Sequence, residues 1–319
     1  MTDLIKKVEY TGLLPVIKIA HVENAVPLAK ALREGGLNAA EITFRTSCAE
    51  ESIRAVRKEF PDMLIAAGTV LTPEQADAAM NAGADLIVSP GFRAEMVRHC
   101  LEKGYTVVPG CSCPSDIEAA MALGLKYVKF FPAEAAGGLA MLKAMSGPYG
   151  GVKFMPTGGI NKDNLSSYLA FPKVFACGGS FMVNDKLIDA GDFAEITRQT
   201  REALNIMLDF KLGHIGINAS DTEEAKENAD LFALLFGFGI RELPVSYFAG
   251  PFEVMKNGGR GTRGHIAVST PNVGRAMYYL EQRGMKFDPD SIQRDASGEP
   301  TFAYLTGEYL GFAIHLTKA

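Results

Sequence analysis

The stretch Leu125-Lys126-Tyr127-Val128-Lys129-Phe130-Phe131-Pro132 reads as a short apolar strand that begins just after Gly124, a glycine of the kind that stops helices. The same unit of apolar strand, turn, amphipathic helix and glycine repeats through residues 13–210. Strands are expected to begin near Leu13, Asn38, Met63, Asp85, Tyr105, Leu125, Val152 and Lys173, at intervals of 20 to 27 residues. Residues 24–34, 50–59, 73–81 and 94–103 carry apolar side chains three and four apart, the spacing of an amphipathic helix. Alternating strands and helices imply a parallel sheet with right-handed crossovers. Eight such units in about 200 residues fit a closed (β/α)8 TIM barrel better than the alternative, an open doubly wound sheet.

After Lys211 the pattern changes. Gly213-His214-Ile215-Gly216-Ile217-Asn218-Ala219-Ser220 recurs 51 residues later as Gly264-His265-Ile266-Ala267-Val268-Ser269-Thr270-Pro271. Each copy reads as a strand followed by a helix (222–235 and 272–283) and then by short strands, the last at 302–305 and 311–316. This is a duplicated βαβββ module, and two modules side by side make one small α+β domain with a shared cleft. The expected domains are therefore 1–211 and 212–319.

Composition limits the partners. The 319 residues are 47% hydrophobic and 22% charged, which excludes wholesale disorder. A net charge of −5, with neither domain basic, argues against a nucleic-acid partner. The apolar run at 232–240 is far short of the ~18 residues of a membrane span, and residues 1–10 carry no apolar signal core. Five cysteines, an odd number, point to reduced thiols in a cytoplasm rather than a disulfide framework.

Barrel enzymes carry their chemistry at the C-terminal ends of the strands. Lys126 lies at the solvated start of the sixth strand, whereas Lys129 lies near its end, between Val128 and Phe130. An ammonium there is paired, desolvated toward a nucleophilic amine able to form a Schiff base, or snorkelling from the rim. In Asn38-Ala39-Ala40-Glu41-Ile42-Thr43-Phe44-Arg45, alternation turns Ala40, Ile42 and Phe44 toward the helices and Glu41, Thr43 and Arg45 inward. Glu41 and Arg45 either satisfy each other as an ion pair, or Glu41 moves protons while Arg45 grips a substrate carboxylate. Pro156-Thr157-Gly158-Gly159-Ile160 and Cys177-Gly178-Gly179-Ser180 follow the seventh and eighth strands, where barrels of this type often bind phosphate through bare backbone N–H groups.

Taken together, Glu41-Ile-Thr-Phe-Arg45-Thr, Ala67-Gly-Thr69-Val, Ser89-Pro90-Gly, Lys129-Phe-Phe-Pro-Ala-Glu134, Thr157-Gly-Gly-Ile and Gly178-Gly-Ser180 resemble the 2-keto-3-deoxy-6-phosphogluconate / 2-keto-4-hydroxyglutarate aldolases. The resemblance covers about residues 13–205. It implies that Lys129 is the Schiff-base lysine and Glu41 the general acid/base. It implies further that Arg45, Thr69 and Thr157 hold the pyruvate part, that Pro90 and Phe131 line the pocket, and that Gly158, Gly159, Gly178, Gly179 and Ser180 cradle phosphate. A homotrimer, pyruvate as product and no cofactor are also implied. One departure is Cys113, in Pro109-Gly110-Cys111-Ser112-Cys113, where the family usually has Thr; the two cysteines are read as buried thiols rather than metal ligands. His21 and His99 are read as loop and helix-surface residues.

The second domain resembles the vicinal-oxygen-chelate (glyoxalase/bleomycin-resistance) superfamily. That match implies one divalent ion, Zn, Ni, Mn or Fe, on His214, Glu253, His265 and His315. The other reading is a metal-free dimerisation or binding module. For the barrel, the rivals are a phosphate-binding epimerase or isomerase and a scaffold without activity. Within the aldolase reading, a 2-keto-3-deoxy-6-phosphogalactonate substrate and a bifunctional chain stay open.

Overall fold

The computed structural model describes residues 2–319. They form two compact units, one ending at Met207 and the other beginning at Leu208. Sequence reading placed the boundary at Lys211, but that residue opens a strand of the second unit and pairs with Ser269. The Leu208 carbonyl also accepts a hydrogen bond from Thr270, at 2.7 Å.

The first unit opens with α1 (Thr2–Thr11), a helix that sequence reading did not anticipate; it buries Ile5 and Val8. Strands and helices then alternate as β1 (Leu13–Ile17), α2 (Ala25–Glu34), β2 (Ala39–Thr43), α3 (Ala49–Glu59), β3 (Leu64–Gly68), α4 (Pro73–Ala82), β4 (Leu86–Val88) and α5 (Ala94–Glu102). They continue as β5 (Thr106–Val108), α6 (Pro114–Ala122), β6 (Tyr127–Phe130), α7 (Gly138–Ser146), β7 (Lys153–Pro156), α8 (Leu165–Leu169), β8 (Cys177–Gly179), α9 (Asp185–Asp189) and α10 (Phe193–Leu208). Helix starts are set locally: Thr72 accepts from the Gln75 N–H at the start of α4, with Pro73 in the first turn.

Strand pairing is parallel in the order β5-β4-β3-β2-β1-β8, with β6 paired to β7. Single bridges from Gly110 to Lys129 and from Thr157 to Gly178 join the two sets, giving a (β/α)8-like barrel. β1, β2 and β3 are buried at every position, as strands covered on both faces must be. β8 starts four residues later than the expected Lys173, because 173–176 lead in through a turn before the chain meets β1.

The second unit runs β9 (Lys211–Asn218), α11 (Thr222–Phe236), β10 (Ile240–Glu242), β11 (Ser246–Ala249), β12 (Phe252–Met255), then β13 (Gly264–Thr270), α12 (Val273–Gln282), β14 (Gln293–Arg294), β15 (Pro300–Tyr304) and β16 (Phe312–Lys318). All eight strands lie in one mixed sheet, in the order β10-β11-β12-β9-β13-β16-β15-β14. β9 and β13 meet antiparallel at its centre, and each has a parallel neighbour outside it, β12 and β16. Among the described residues, no helix is long and apolar enough to cross a membrane.

Candidate active site

β6 carries Lys129 into the barrel, where it is 4% exposed. Its Nζ donates to Glu41 Oε1 at 3.2 Å, and Glu41, from β2, is fully buried. An ammonium and a carboxylate so placed each offset the other's desolvation. Gly68 makes room for the pair: a Cβ there would lie 2.4 Å from Glu41 Oε1. The second carboxylate oxygen, Oε2, is buried without a hydrogen-bond partner, an acceptor left open for a water or a substrate proton. Lys126 is exposed, as its place at the strand start led one to expect.

Arg45 does not continue the inward face of β2. The strand ends at Thr43, and Arg45 lies in the following turn, exposed, so it forms no interior ion pair with Glu41. Instead its Nε donates to Thr43 Oγ1 at 3.2 Å, while Thr43 donates to the Ile17 carbonyl at 2.7 Å. That chain aims the guanidinium across the barrel mouth. There it lines a cavity of ≈170 Å3 together with Phe131, Thr157, Gly158, Gly159, Gly178, Gly179 and Ser180. Sequence reading missed two other wall residues, Val16 near the end of β1 and Ile160 in the loop after β7, since lone apolar side chains look like core. A second space of ≈370 Å3 shares Val16, Arg45 and Ser180 and adds Lys18 and Lys186.

Lys129 and Glu41 are not in the cavity wall, but Phe131 is, and its ring centre lies 5.5 Å from the Lys129 Nζ. Thr69 and Pro90 are also outside the wall, just past the ends of β3 and β4. Thr69 adopts φ +56°, a left-handed conformation that threonine avoids and that costs of order 1–3 kcal/mol. Cys111 is buried, and burial pushes its thiol up to about 12. Cys113 is only half-buried, at the N-cap of α6, which corrects the reading of both as buried. His99 is half-buried rather than on the surface, 2.9 Å from Asp77, which also accepts from Tyr105.

A second cluster lies in the mixed sheet. His214 Nε2 is 3.0 Å from both His265 Nε2 and Glu253 Oε2, and His265 Nε2 is 3.1 Å from the same oxygen. Ligand nitrogens of His214, His265 and His315 all lie within 4.8 Å of one another. Gly216 leaves space for this, since a Cβ there would fall 2.0 Å from the His265 ring. Ser246, not anticipated from sequence, donates to Glu253 Oε1 at 2.7 Å and fixes the carboxylate. Burial opposes ionisation of Glu253, but bonds from His214, His265 and Ser246 outweigh it and hold the carboxyl well below its usual range. Burial, followed by the neighbouring imidazoles, lowers His315 to about 4, so its ring is neutral at pH 7. Three imidazoles beside a carboxylate form a donor set suited to Zn, Ni, Mn or Fe.

The barrel also has relatives. Residues 4–199 match the family model for KDPG and KHG aldolase. A 2-dehydro-3-deoxy-phosphogluconate aldolase of Treponema pallidum (strain Nichols) is 48% identical over 207 residues, covering 65% of this chain and 99% of that protein. The KHG/KDPG aldolase of Escherichia coli K12 is 44% identical over 192 residues, covering 60% and 90%. A crystal structure of KDPG aldolase from Legionella pneumophila, with pyruvate captured at low pH as a covalent carbinolamine, superposes with a TM-score of 0.61 at 39% identity, covering 62% and 97%. The family model and these relatives make the chain an aldolase, a carbon–carbon lyase. The chain belongs to the KDPG and KHG aldolase family.

Proposed function

We propose that the barrel, as a (β/α)8 TIM barrel, cleaves 2-keto-3-deoxy-6-phosphogluconate to pyruvate and glyceraldehyde 3-phosphate through a Schiff base on Lys129, and 4-hydroxy-2-oxoglutarate to pyruvate and glyoxylate by the same steps. Lys129 passes a proton to Glu41, the freed amine attacks the C2 carbonyl, and loss of water from the carbinolamine leaves a protonated imine. The C4 hydroxyl gives up its proton, the C3–C4 bond breaks, and its electrons are held as an enamine while the aldehyde departs. Protonation at C3 and hydrolysis then release pyruvate and restore the amine. Glu41 carries the protons, and its unpartnered Oε2 is the oxygen open to do so.

Arg45 and Thr157 hold the pyruvate carboxylate and keto group and Phe131 shapes the pocket; Thr69 and Pro90, outside that wall, join them on the family resemblance alone. Gly158, Gly159, Gly178, Gly179 and Ser180 receive the phosphate. The observation that carries this reading is the buried contact of Lys129 with Glu41. A coupled pyruvate assay across the two substrates and the phosphogalactonate epimer tests it: wild type releases pyruvate, and Lys129→Ala does not. Pyruvate release by Lys129→Ala would end the Schiff-base reading. The working form is a homotrimer, as the family resemblance implies, in a cytoplasm.

The second unit carries a reading of its own, favoured by the convergence of His214, Glu253, His265 and His315. It is a glyoxalase-like duplicated βαβββ domain in which these four side chains hold one divalent ion. Such an ion would act as a Lewis acid toward a bound oxygen. The residues themselves supply three imidazole nitrogens and a carboxylate braced by Ser246. Metal analysis of the purified chain decides the matter.

A further inference from the structure

The last residue of the Lys129–Glu134 segment does something that its exposure does not suggest. The chain leaving β6 runs beside the chain leaving β7: Ala133 N–H donates to the Thr157 carbonyl at 2.8 Å and Glu134 N–H to the Gly158 carbonyl at 3.0 Å. The Glu134 side chain then crosses the loop at the place where residue 159 has none. A Cβ on Gly159 would lie 2.5 Å from Glu134 Cβ and Cγ. Gly158 and Gly159 both adopt positive φ, +95° and +83°, a shape that only glycine holds without strain.

Beyond the loop, Glu134 Oε1 accepts the hydroxyl of Tyr168, which lies on α8 and is 1% exposed. Burial, and then this carboxylate, raise the phenol's pKa and keep it a donor. The far side of the loop is tied to the N-terminal end of the same helix, since Asn161 and Asn164 donate to the Gly159 carbonyl at 3.2 and 3.0 Å. The loop is therefore held from the β6 side by Glu134 and from the α8 side by the asparagines, and the Tyr168–Glu134 bond closes the frame.

We propose that Glu134 and Tyr168 are positioning residues that fix the Gly158–Gly159 turn, beyond Thr157, relative to Lys129, and so set the affinity for the phosphate end of the substrate without touching it. This rests on the assignment of Lys129 as the Schiff-base lysine and of the loop as the phosphate cradle. Neither side chain lines the cavity, so both act through the loop backbone.

The test uses the full chain in three variants, Tyr168→Phe, Glu134→Ala and Glu134→Gln. The readouts are kcat and KM for 2-keto-3-deoxy-6-phosphogluconate, the pyruvate concentration giving half-maximal borohydride trapping, and the melting temperature. Tyr168→Phe and Glu134→Ala are expected to raise KM about five- to tenfold with kcat within about twofold, as loss of binding without loss of chemistry requires. Half-saturation by pyruvate, which has no phosphate, stays at the wild-type value. Glu134→Gln keeps an acceptor oxygen and restores KM. An unchanged KM in Tyr168→Phe would overturn the proposal. So would a parallel loss of kcat, pyruvate half-saturation and melting temperature, which marks a general structural role. Failure of pyruvate trapping in the wild type would instead overturn the lysine assignment beneath it.

Discussion

Lys129 Nζ and Glu41 Oε1 meet at 3.2 Å although 88 residues separate them in the chain, and both side chains are almost wholly sealed from solvent. Parallel strands make the meeting possible, because β2 and β6 send both residues into the same interior. The remaining carboxylate oxygen has no partner, so the pair holds one strong contact and keeps one acceptor open.

Glu41→Gln keeps the shape and removes the base. The expected result is a kcat lower by about 10²–10⁴, the usual worth of a positioned acid–base group, with pyruvate still trapped covalently on Lys129. Steady-state kinetics and mass mapping of the borohydride-reduced adduct check both halves of this statement.

Removing only the cation should cost stability as well as activity. Lys129→Ala leaves a buried carboxylate unpaired, a change worth about 3–5 kcal/mol. Glu41→Gln introduced alongside it should recover a large part of that loss. Denaturant unfolding of the two single variants and the double variant measures the coupling; simple additivity would show that the contact contributes nothing.

Arg45 is exposed and, among the described residues, hydrogen-bonded only to Thr43, so Arg45→Ala should leave the melting temperature nearly unchanged while KM rises at least tenfold. Arg45→Lys keeps the charge without the planar fork and should recover only part of the affinity.

The thiols should report the fold through their pH dependence. Burial raises Cys100 to about 11 and Cys111 to about 12. Both therefore stay protonated and unreactive at pH 8, and their alkylation should accelerate only as the pH approaches those values. Half-buried Cys48 and Cys113 should react first. Time-resolved alkylation read by peptide mass gives the order directly.

In the second unit, His265→Ala should lower the metal content of the purified chain from about one ion to near none. Borohydride trapping of pyruvate on Lys129 should be unaffected. Elemental analysis after growth with Zn, Ni, Mn and Fe supplied makes the comparison, and a wild-type content near zero would remove the ion from the account.

The barrel was legible because its strands are short, apolar and punctuated by glycine; seven of the eight begin within two residues of where the pattern puts them. Lys129 stood out as a charge late in an apolar strand, and Glu41 as a charge on the inward face of another. Other features lay beyond pattern reading. Arg45 broke the alternation because β2 ends at Thr43, and a strand end is fixed by its neighbours rather than by its own residues. Ser246 and Tyr168 matter through single hydrogen bonds to Glu253 and Glu134, and no spacing rule announces such partners. His214 and His265 were visible as a repeat and His315 on the last strand, but their convergence depends on β9, β13 and β16 lying side by side at the centre of the sheet.

The most direct test of the central claim is borohydride reduction of the full chain in the presence of pyruvate, followed by peptide mapping. The account predicts one reduced pyruvyl adduct per chain, on Lys129, and loss of aldolase activity in proportion to its formation. An adduct on another lysine, or complete inactivation with Lys129 unmodified, would contradict it.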